Sequence, residues 1–215
     1  DCIDGGTGRD LLDYSQDGND SAITLDLGTG VATQGGDTDS VARIEHVIGT
    51  WNGDTLTADE TVLLDYTLAD NPFTLEGLGG NDTINGGGSA PSTFVTASYA
   101  NSQGAANVNL GTGTAQDGMG GTDTLSNIDA VVGSNFDDTL TGGSSSSQIL
   151  SISLFEQFEG GLGNDTIDGG DGGDRVVYQN NPGAVTVTLA DGDAAGSAIE
   201  TGGPFGNTTD TLYHI

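Results

Sequence analysis

The sequence predicts an all-β chain of short strands joined by glycine-rich turns, on three observations. Residues 160–177, GGLGNDTIDGGDGGDRVV, are two nine-residue units in tandem, each reading G-G-x-G-x-D-x-U-x with U a large aliphatic. The segments AITLDLGTG, NVNLGTG and AVTVTLADG alternate apolar and polar residues with period two, the pattern of strands half buried against a core. An internal repeat runs through the whole chain: residues 3–14 (IDGGTGRDLLDY) align without a gap on residues 167–178 (IDGGDGGDRVVY).

Each tandem unit divides into a turn and a strand. In its first six residues, glycines allow backbone conformations closed to other residues and let carbonyl oxygens converge on one point. Asp165 in the first unit and Asp174 in the second add a hard, charged oxygen. That donor set suits Ca²⁺, which takes six to eight oxygen ligands at roughly 2.3–2.6 Å, many of them backbone carbonyls. The last three residues, Thr-Ile-Asp in the first unit, are one short strand whose central side chain alone points inward.

The tandem resembles, position by position, the calcium-binding nonapeptide of the repeats-in-toxin (hemolysin-type) family. The resemblance implies a right-handed parallel β-roll or β-helix solenoid, with two units to a coil and calcium ions between turns stacked on the same side. Two nine-residue units per coil place stacked turns about eighteen residues apart.

Composition fits a chain that folds around cations. The 215 residues carry 32 acidic side chains against 3 basic ones, for a net charge of −29, and contain no lysine. Asp supplies 26 of the acids, and Asp is the shorter, turn-favouring ligand. Leu, Ile, Val and Phe number 47, about 22%, close to the roughly 20% below which highly charged chains tend to disorder. Without counter-ions, repulsion among the carboxylates opposes a thin core. Such a chain does not bind nucleic acid or anionic membranes through charge. The single Cys2 excludes an internal disulfide framework, and no apolar run approaches the roughly 20 residues of a membrane span. The opening, Asp1-Cys2-Ile3-Asp4-Gly5-Gly6, matches residues 165–170, so the chain is expected to begin inside a unit of something longer.

Taken in order, the chain reads as one solenoid fragment of repeat modules at about 1–84, 85–167 and 168–215, the last incomplete. Tyr14, Tyr99 and Tyr178 each open an alternating segment, which then returns to an acidic unit. Alignment exposes a recurrent Asp-x-aliphatic triplet, in which the Asp closes a turn and the aliphatic fills the core. Asp10, Asp82, Asp165 and Asp174 have the fullest glycine context, and Asp123 follows GMGGT. Asp54, Asp138, Asp39 and Asp210 lie in degenerate units. These nine aspartates are the candidate cation ligands, with backbone oxygens of Gly6, Gly8, Gly80, Gly161, Gly163, Gly170 and Gly172 completing the shells. The 27-residue spacing between Gly133 and Gly160 reads as coils that keep the winding but lose their glycines, with Glu156 as a substitute ligand. The unit after Asn85, GGGSAPSTF, carries no Asp, and its Ala90–Pro91 and the run 144–147 read as loops leaving the solenoid.

Catalytic signatures are absent: there is no G-x-S-x-G elbow, H-E-x-x-H or Walker A motif. His46 and His214 stand beside aliphatics in matching module positions and read as structural. Trp51, Phe136, Phe155, Phe158 and Phe205 read as core or edge plugs rather than a ligand patch. The pairs Thr55/Thr57 and Thr139/Thr141 are similar to those of ice-binding solenoids, but two pairs do not make a regular array. The expectation is therefore a calcium-binding, non-enzymatic repeat region of a secreted or cell-surface bacterial protein. The resemblance implies type I secretion and folding on calcium outside the cell. Expected contacts are neighbouring repeats of the same longer chain and cell-surface or matrix partners, as in an adhesin, surface-layer or fibre protein. The alternative is the calcium-binding tail of a secreted protease, lipase or epimerase.

Overall fold

The structure is a computed structural model and describes residues 1–16, 21–58, 73–88, 94–144, 155–192, 194–203 and 206–215. Ala90, Pro91, Phe205 and most of the run 144–147 therefore lie outside the described residues. Among the described residues there is no helix, and the strands are short and mostly parallel, consistent with a β-helix-like fold. The chain divides into two compact units, Asp1–Ser98 with Met119–Asp129, and Tyr99–Gly118 with Ala130–Ile215.

In the first unit, one run of paired strands is Cys2–Asp4, Asp37–Ala42, Val31–Gln34, Ile23–Asp26, Thr55–Thr57, Thr83–Asn85 and Thr122–Ser126. A second, wholly parallel run is Leu11–Asp13, His46–Ile48, Phe73–Glu76 and Val95–Ser98. Register explains the core. Leu25, Leu56, Ile84 and Leu125 stand opposite one another in the first run. Leu12, Val47, Leu75 and Ala97 do so in the second. Seven of these eight are buried, Leu12 being only partly covered. Each is the central residue of its triplet or stands directly between two polar neighbours, so alternation sends it inward. Fully burying such a side chain contributes roughly 1.5–3 kcal/mol.

The second unit repeats the plan. Val108, Leu140, Ile167 and Leu212 form one inward row. Val131, Phe158 and Val176 form the other, along the parallel strands Ala130–Val132, Gln157–Glu159 and Arg175–Val176. Phe158 is fully buried, whereas Trp51 and Phe136 are about half exposed, so these two are not core plugs.

Three features depart from the sequence expectation. First, the alternating segments are antiparallel meanders, not parallel turns of a winding. Ile23–Asp26 pairs antiparallel with Val31–Gln34, which pairs antiparallel with Asp37–Ala42. A four-residue connection cannot carry the chain back to the start of a parallel neighbour, which needs a long crossover. The Asp26 carboxylate accepts the Thr29 N–H at 3.0 Å and Gly30 takes φ 68°. Asn109, Thr112 and Gly113 (φ 66°) build the same turn in the second unit. Ala184–Thr188, Gly196–Gly203 and Gly206–Tyr213 form a third meander.

Second, the stretch from Gly133 to Gly160 is not several coils. Thr139–Thr141 pairs directly with Thr166–Asp168, so the chain leaves one sheet and returns to the adjacent position once. The first unit does the same between Thr55–Thr57 and Thr83–Asn85. Third, the two histidines do not occupy matching positions. His46 lies half-buried in the strand His46–Ile48, where burial lowers its pKa. His214 instead matches Arg43 and Asn127. All three adopt left-handed φ, 51°, 55° and 54°, just after the long strand of a meander. All three reach the last residue of the neighbouring parallel strand. Arg43 pairs with Asp4, Asn127 donates to Asn85 at 3.0 Å, and His214 Nδ1 lies 2.6 Å from Asp168. One cross-strand clasp thus recurs with three chemistries.

Register also aligns threonines that looked isolated in sequence. Thr24, Thr55, Thr83 and Thr124 form one outward column in the first unit. The adjacent column reads Asp26, Thr57, Asn85 and Ser126, so the array is one threonine wide.

Candidate cation-binding turns

The candidate site is a set of six hexapeptide turns: residues 5–10, 49–54, 77–82, 133–138, 160–165 and 169–174. Each opens on glycine and closes on aspartate. The glycine is required by packing. A Cβ on Gly160 would stand 2.1 Å from Asp165 Oδ2, and one on Gly77 would stand 2.0 Å from Asp82 Oδ2. Gly49 and Gly133 face Asp54 and Asp138 in the same way, at 2.3 and 2.4 Å. The closing carboxylate therefore folds back over the first residue of its own turn.

Within each unit, aspartates from adjacent strands form a ladder in which a backbone N–H donates to the next carboxylate. In the first unit Ile23 donates to Asp54 Oδ1 (2.8 Å), Asp54 to Asp82 Oδ1 (2.7 Å) and Asp82 to Asp123 Oδ1 (3.0 Å). In the second, Ala106 donates to Asp138 Oδ1 (2.7 Å), Asp138 to Asp165 Oδ1 (2.8 Å) and Asp165 to Asp210 Oδ1 (3.0 Å). All six aspartates are buried. Asp174 belongs to the opposite turn of the same circuit, where its Oδ1 accepts the Glu156 N–H at 3.0 Å.

The ladder uses one oxygen of each carboxylate, and the other distinguishes the turns. Oδ2 of Asp10, Asp165 and Asp174 is buried without a hydrogen-bond partner. Burial pushes the Asp165 carboxyl up to about 8, and the nearby negative charges of Asp210, Asp138 and Glu200 add to the shift. Burial likewise raises the Asp174 pKa. A buried carboxylate oxygen without a donor costs free energy that a cation or a proton relieves.

The backbone around these oxygens is the form glycine permits. The second and fourth residues have positive φ in the turns at Asp10 (Gly6, 93°; Gly8, 120°) and Asp165 (Gly161, 97°; Gly163, 132°). The same holds at Asp174 (Gly170, 81°; Gly172, 141°) and at Asp82 (Leu78, 68°; Gly80, 131°). Backbone oxygens of the adjacent turn crowd in. The Ser134 and Phe136 carbonyl oxygens stand 2.0 and 2.5 Å from where Cβ atoms of Gly161 and Gly163 would lie. Among the described residues, no three His, Cys, Asp or Glu side chains gather as a metal centre. The donor set is thus one carboxylate among backbone carbonyls, which fits a hard cation such as Ca²⁺ rather than zinc.

The remaining sequence candidates occupy other environments. Asp39, Asp123 and Asp210 do not close turns. They lie inside the strands Asp37–Ala42, Thr122–Ser126 and Gly206–Tyr213 and receive the N-terminal edge of a neighbouring strand. Asp39 pairs with the Asp1 ammonium group. Asp210 has both oxygens engaged, Oδ2 accepting the Tyr178 hydroxyl at 2.9 Å. Burial raises its pKa to about 6 despite those donors. Asp54 and Asp138 accept hydrogen bonds from Thr50 and Ser134 of their own turns. Glu156 stands where a turn Asp would, directly before the strand Gln157–Glu159: a Cβ on Gly142 would lie 2.5 Å from its Oε2, which accepts the Gly143 N–H at 2.8 Å.

Sequence reasoning missed Glu200, 4% exposed, which accepts the Thr208 hydroxyl at 2.9 Å. It also missed Thr50 and Ser134, although a hydroxyl residue directly after the turn glycine was a visible signal. No protein-family model matches the chain, and no curated protein matches it.

Proposed function

We propose that the chain is a calcium-dependent structural repeat region of the repeats-in-toxin type, wound as a solenoid with cations held in its glycine turns. In this reading it belongs to a secreted or cell-surface bacterial protein and acts as a scaffold, as in an adhesin, surface-layer or fibre protein. The observation that carries the reading is the turn at residues 160–165. It has the full G-G-x-G-x-D pattern, two left-handed glycines, and a buried carboxylate oxygen on Asp165 that no donor satisfies. Turns at Asp10 and Asp174 share those features.

A bound calcium ion supplies the positive charge that a −29 chain lacks. The residues do the rest. Asp10, Asp165 and Asp174 present an oxygen, the left-handed residues bring carbonyls alongside, and Oδ1 of Asp165 and of Asp174 stays tied to the adjacent strand. Ligation of that kind makes folding free energy largely metal-binding free energy. Two carboxylates about 4 Å apart repel by roughly 4 kcal/mol at an effective dielectric near 20, so a cation between turns reverses the sign of the local interaction.

The test compares Asp165→Ala with Asp37→Ala. Both remove one negative charge, but Asp37 is an exposed residue of a meander strand. Ligation raises the calcium midpoint of folding for Asp165→Ala alone. Equal midpoints in the same buffer would refute the assignment of the ion to this turn.

A further inference from the structure

We infer that the second residue of each hexapeptide turn decides whether the turn needs a cation: Thr50 and Ser134 build turns that close without one, whereas Gly6, Gly161 and Gly170 leave an oxygen open for one. The inference rests on the calcium reading above and divides the turns that share it.

The two classes differ in backbone and in hydrogen bonding together. Thr50 and Ser134 are absent from the residues with positive φ, as are Asn52 and Phe136 at the fourth position of the same turns. With ordinary φ, the second residue aims its own N–H at the closing carboxylate. Thr50 N–H donates to Asp54 Oδ2 at 2.6 Å, and Ser134 N–H donates to Asp138 Oδ2 at 2.5 Å. The hydroxyl then donates to the other oxygen, at 2.9 Å from Thr50 and 2.7 Å from Ser134. The same hydroxyl oxygen accepts the N–H of the fourth residue, Asn52 or Phe136, at 3.1 Å in both turns. With the ladder bond from Ile23 or Ala106, each carboxylate has three donors and both oxygens are engaged. Side-chain hydroxyls near a turn commonly replace backbone partners in this way.

In the glycine class the second residue is left-handed, and at two of the three turns its N–H is directed to another carboxylate. Gly6 donates to Asp4 Oδ1 and Gly170 to Asp168 Oδ1, each at 3.1 Å. Glycine has no hydroxyl to offer, and Oδ2 of Asp10, Asp165 and Asp174 is left buried and unbonded. The correlation has no exception among these five turns. Three with left-handed glycine have an open oxygen; two with a hydroxyl residue have none. Leu78, at φ 68°, gives the turn at Asp82 the backbone of the glycine class.

The consequence is an ordered pairing inside each ladder. Asp54 and Asp138 close without an ion, and each hands its N–H directly to the carboxylate of a turn with the ion-dependent backbone, Asp82 and Asp165. The hydroxyl turn thus fixes one wall of the neighbouring site before any cation arrives.

The experiment counts calcium bound to the full chain at saturation by native mass spectrometry and measures the calcium midpoint of folding by circular dichroism. Asp165→Asn is expected to bind one ion fewer than wild type. Asp138→Asn and Ser134→Ala are expected to bind the wild-type number. Ser134→Gly, which removes the hydroxyl and frees the backbone, is expected to raise the midpoint at least threefold. Loss of an ion in Asp138→Asn or Ser134→Ala, or a wild-type midpoint in Ser134→Gly, overturns the inference. Should Asp138→Asn fail to fold, Ser134→Ala keeps the carboxylate and gives the count. A wild-type chain that binds no calcium overturns the underlying reading instead, and the two failures are told apart by that first measurement.

Discussion

A proton should do part of the work of a cation at Asp165. Its carboxyl is pushed up to about 8 from the usual 3.8, chiefly by burial. The folded chain therefore holds a proton that the unfolded chain releases between about pH 4 and pH 8. Stability from this group is fully present below pH 4 and is lost as pH rises through about 8. Asp210 and Asp129, each raised to about 6 mainly by burial, add in the same direction over a narrower window. At about 1.4 kcal/mol per pH unit, moving from pH 8 to pH 5 is worth at most about 4 kcal/mol from Asp165. Local relaxation and water entry reduce this to about 2 kcal/mol. For a chain of this length that is a shift of about 4–8 °C in Tm. The assay is the amplitude and melting midpoint of the β-sheet dichroism signal, for protein stripped of calcium and exchanged into metal-free buffers at pH 5 and pH 8. Lower pH also relieves general repulsion among 32 acids, so Asp165→Asn is the control. Its amide keeps an oxygen for the Asp138 N–H and does not titrate. The variant should be more stable than wild type at pH 8 without calcium, with a shallower dependence on pH. Parallel pH profiles for the two proteins would refute the argument.

At neutral pH chelator should weaken the β-sheet signal, and millimolar Ca²⁺ should restore it. Mg²⁺ should restore it poorly, because it demands a small octahedral shell; a signal indifferent to chelator would remove calcium as the organising agent. Gly160→Ala should cost about 1–3 kcal/mol in saturating calcium, because the new Cβ falls 2.1 Å from Asp165 Oδ2. Gly173→Ala, where a Cβ meets nothing within 4 Å, should leave the urea midpoint near wild type, and equal midpoints for both variants would contradict the packing account.

The sequence made the strand triplets and the glycine turns legible because each is local. An aliphatic two residues after Asp announces an inward side chain, and Leu56, Ile84, Leu140 and Ile167 are all fully buried. Strand direction was not legible. Alternation in AITLDLGTG reports that one face is buried but is silent on whether the next strand runs with it or against it. The decisive residue was Asp26, whose carboxylate caps the Thr29 N–H and closes a tight antiparallel connection. The stacking interval was also hidden. Asp138 and Asp165 are ladder neighbours although 27 residues separate them, because one connection lengthens while both strands keep their places.

The Asp-x-aliphatic triplet looks like one signal in the sequence but carries two in the structure. Asp123 and Asp210 have the triplet but lie inside strands, and their carboxylates still accept the N–H of Asp82 and Asp165. Asp54 and Asp138 have it in hydroxyl turns, and theirs accept from Ile23 and Ala106. What these share with Asp165 is the ladder position alone. The triplet therefore marks where a carboxylate ties one strand to the next, a role that needs only Oδ1 and a neighbouring amide. The fate of Oδ2 is written elsewhere. Tyr178 engages it at Asp210, Ser134 engages it at Asp138, and the left-handed Gly161 leaves it open at Asp165. Asp supplies the strand linkage throughout, and the residue four places before it supplies or withholds the second partner in the turns. A sequence search for cation turns in chains of this kind should therefore weigh the second glycine above the aspartate.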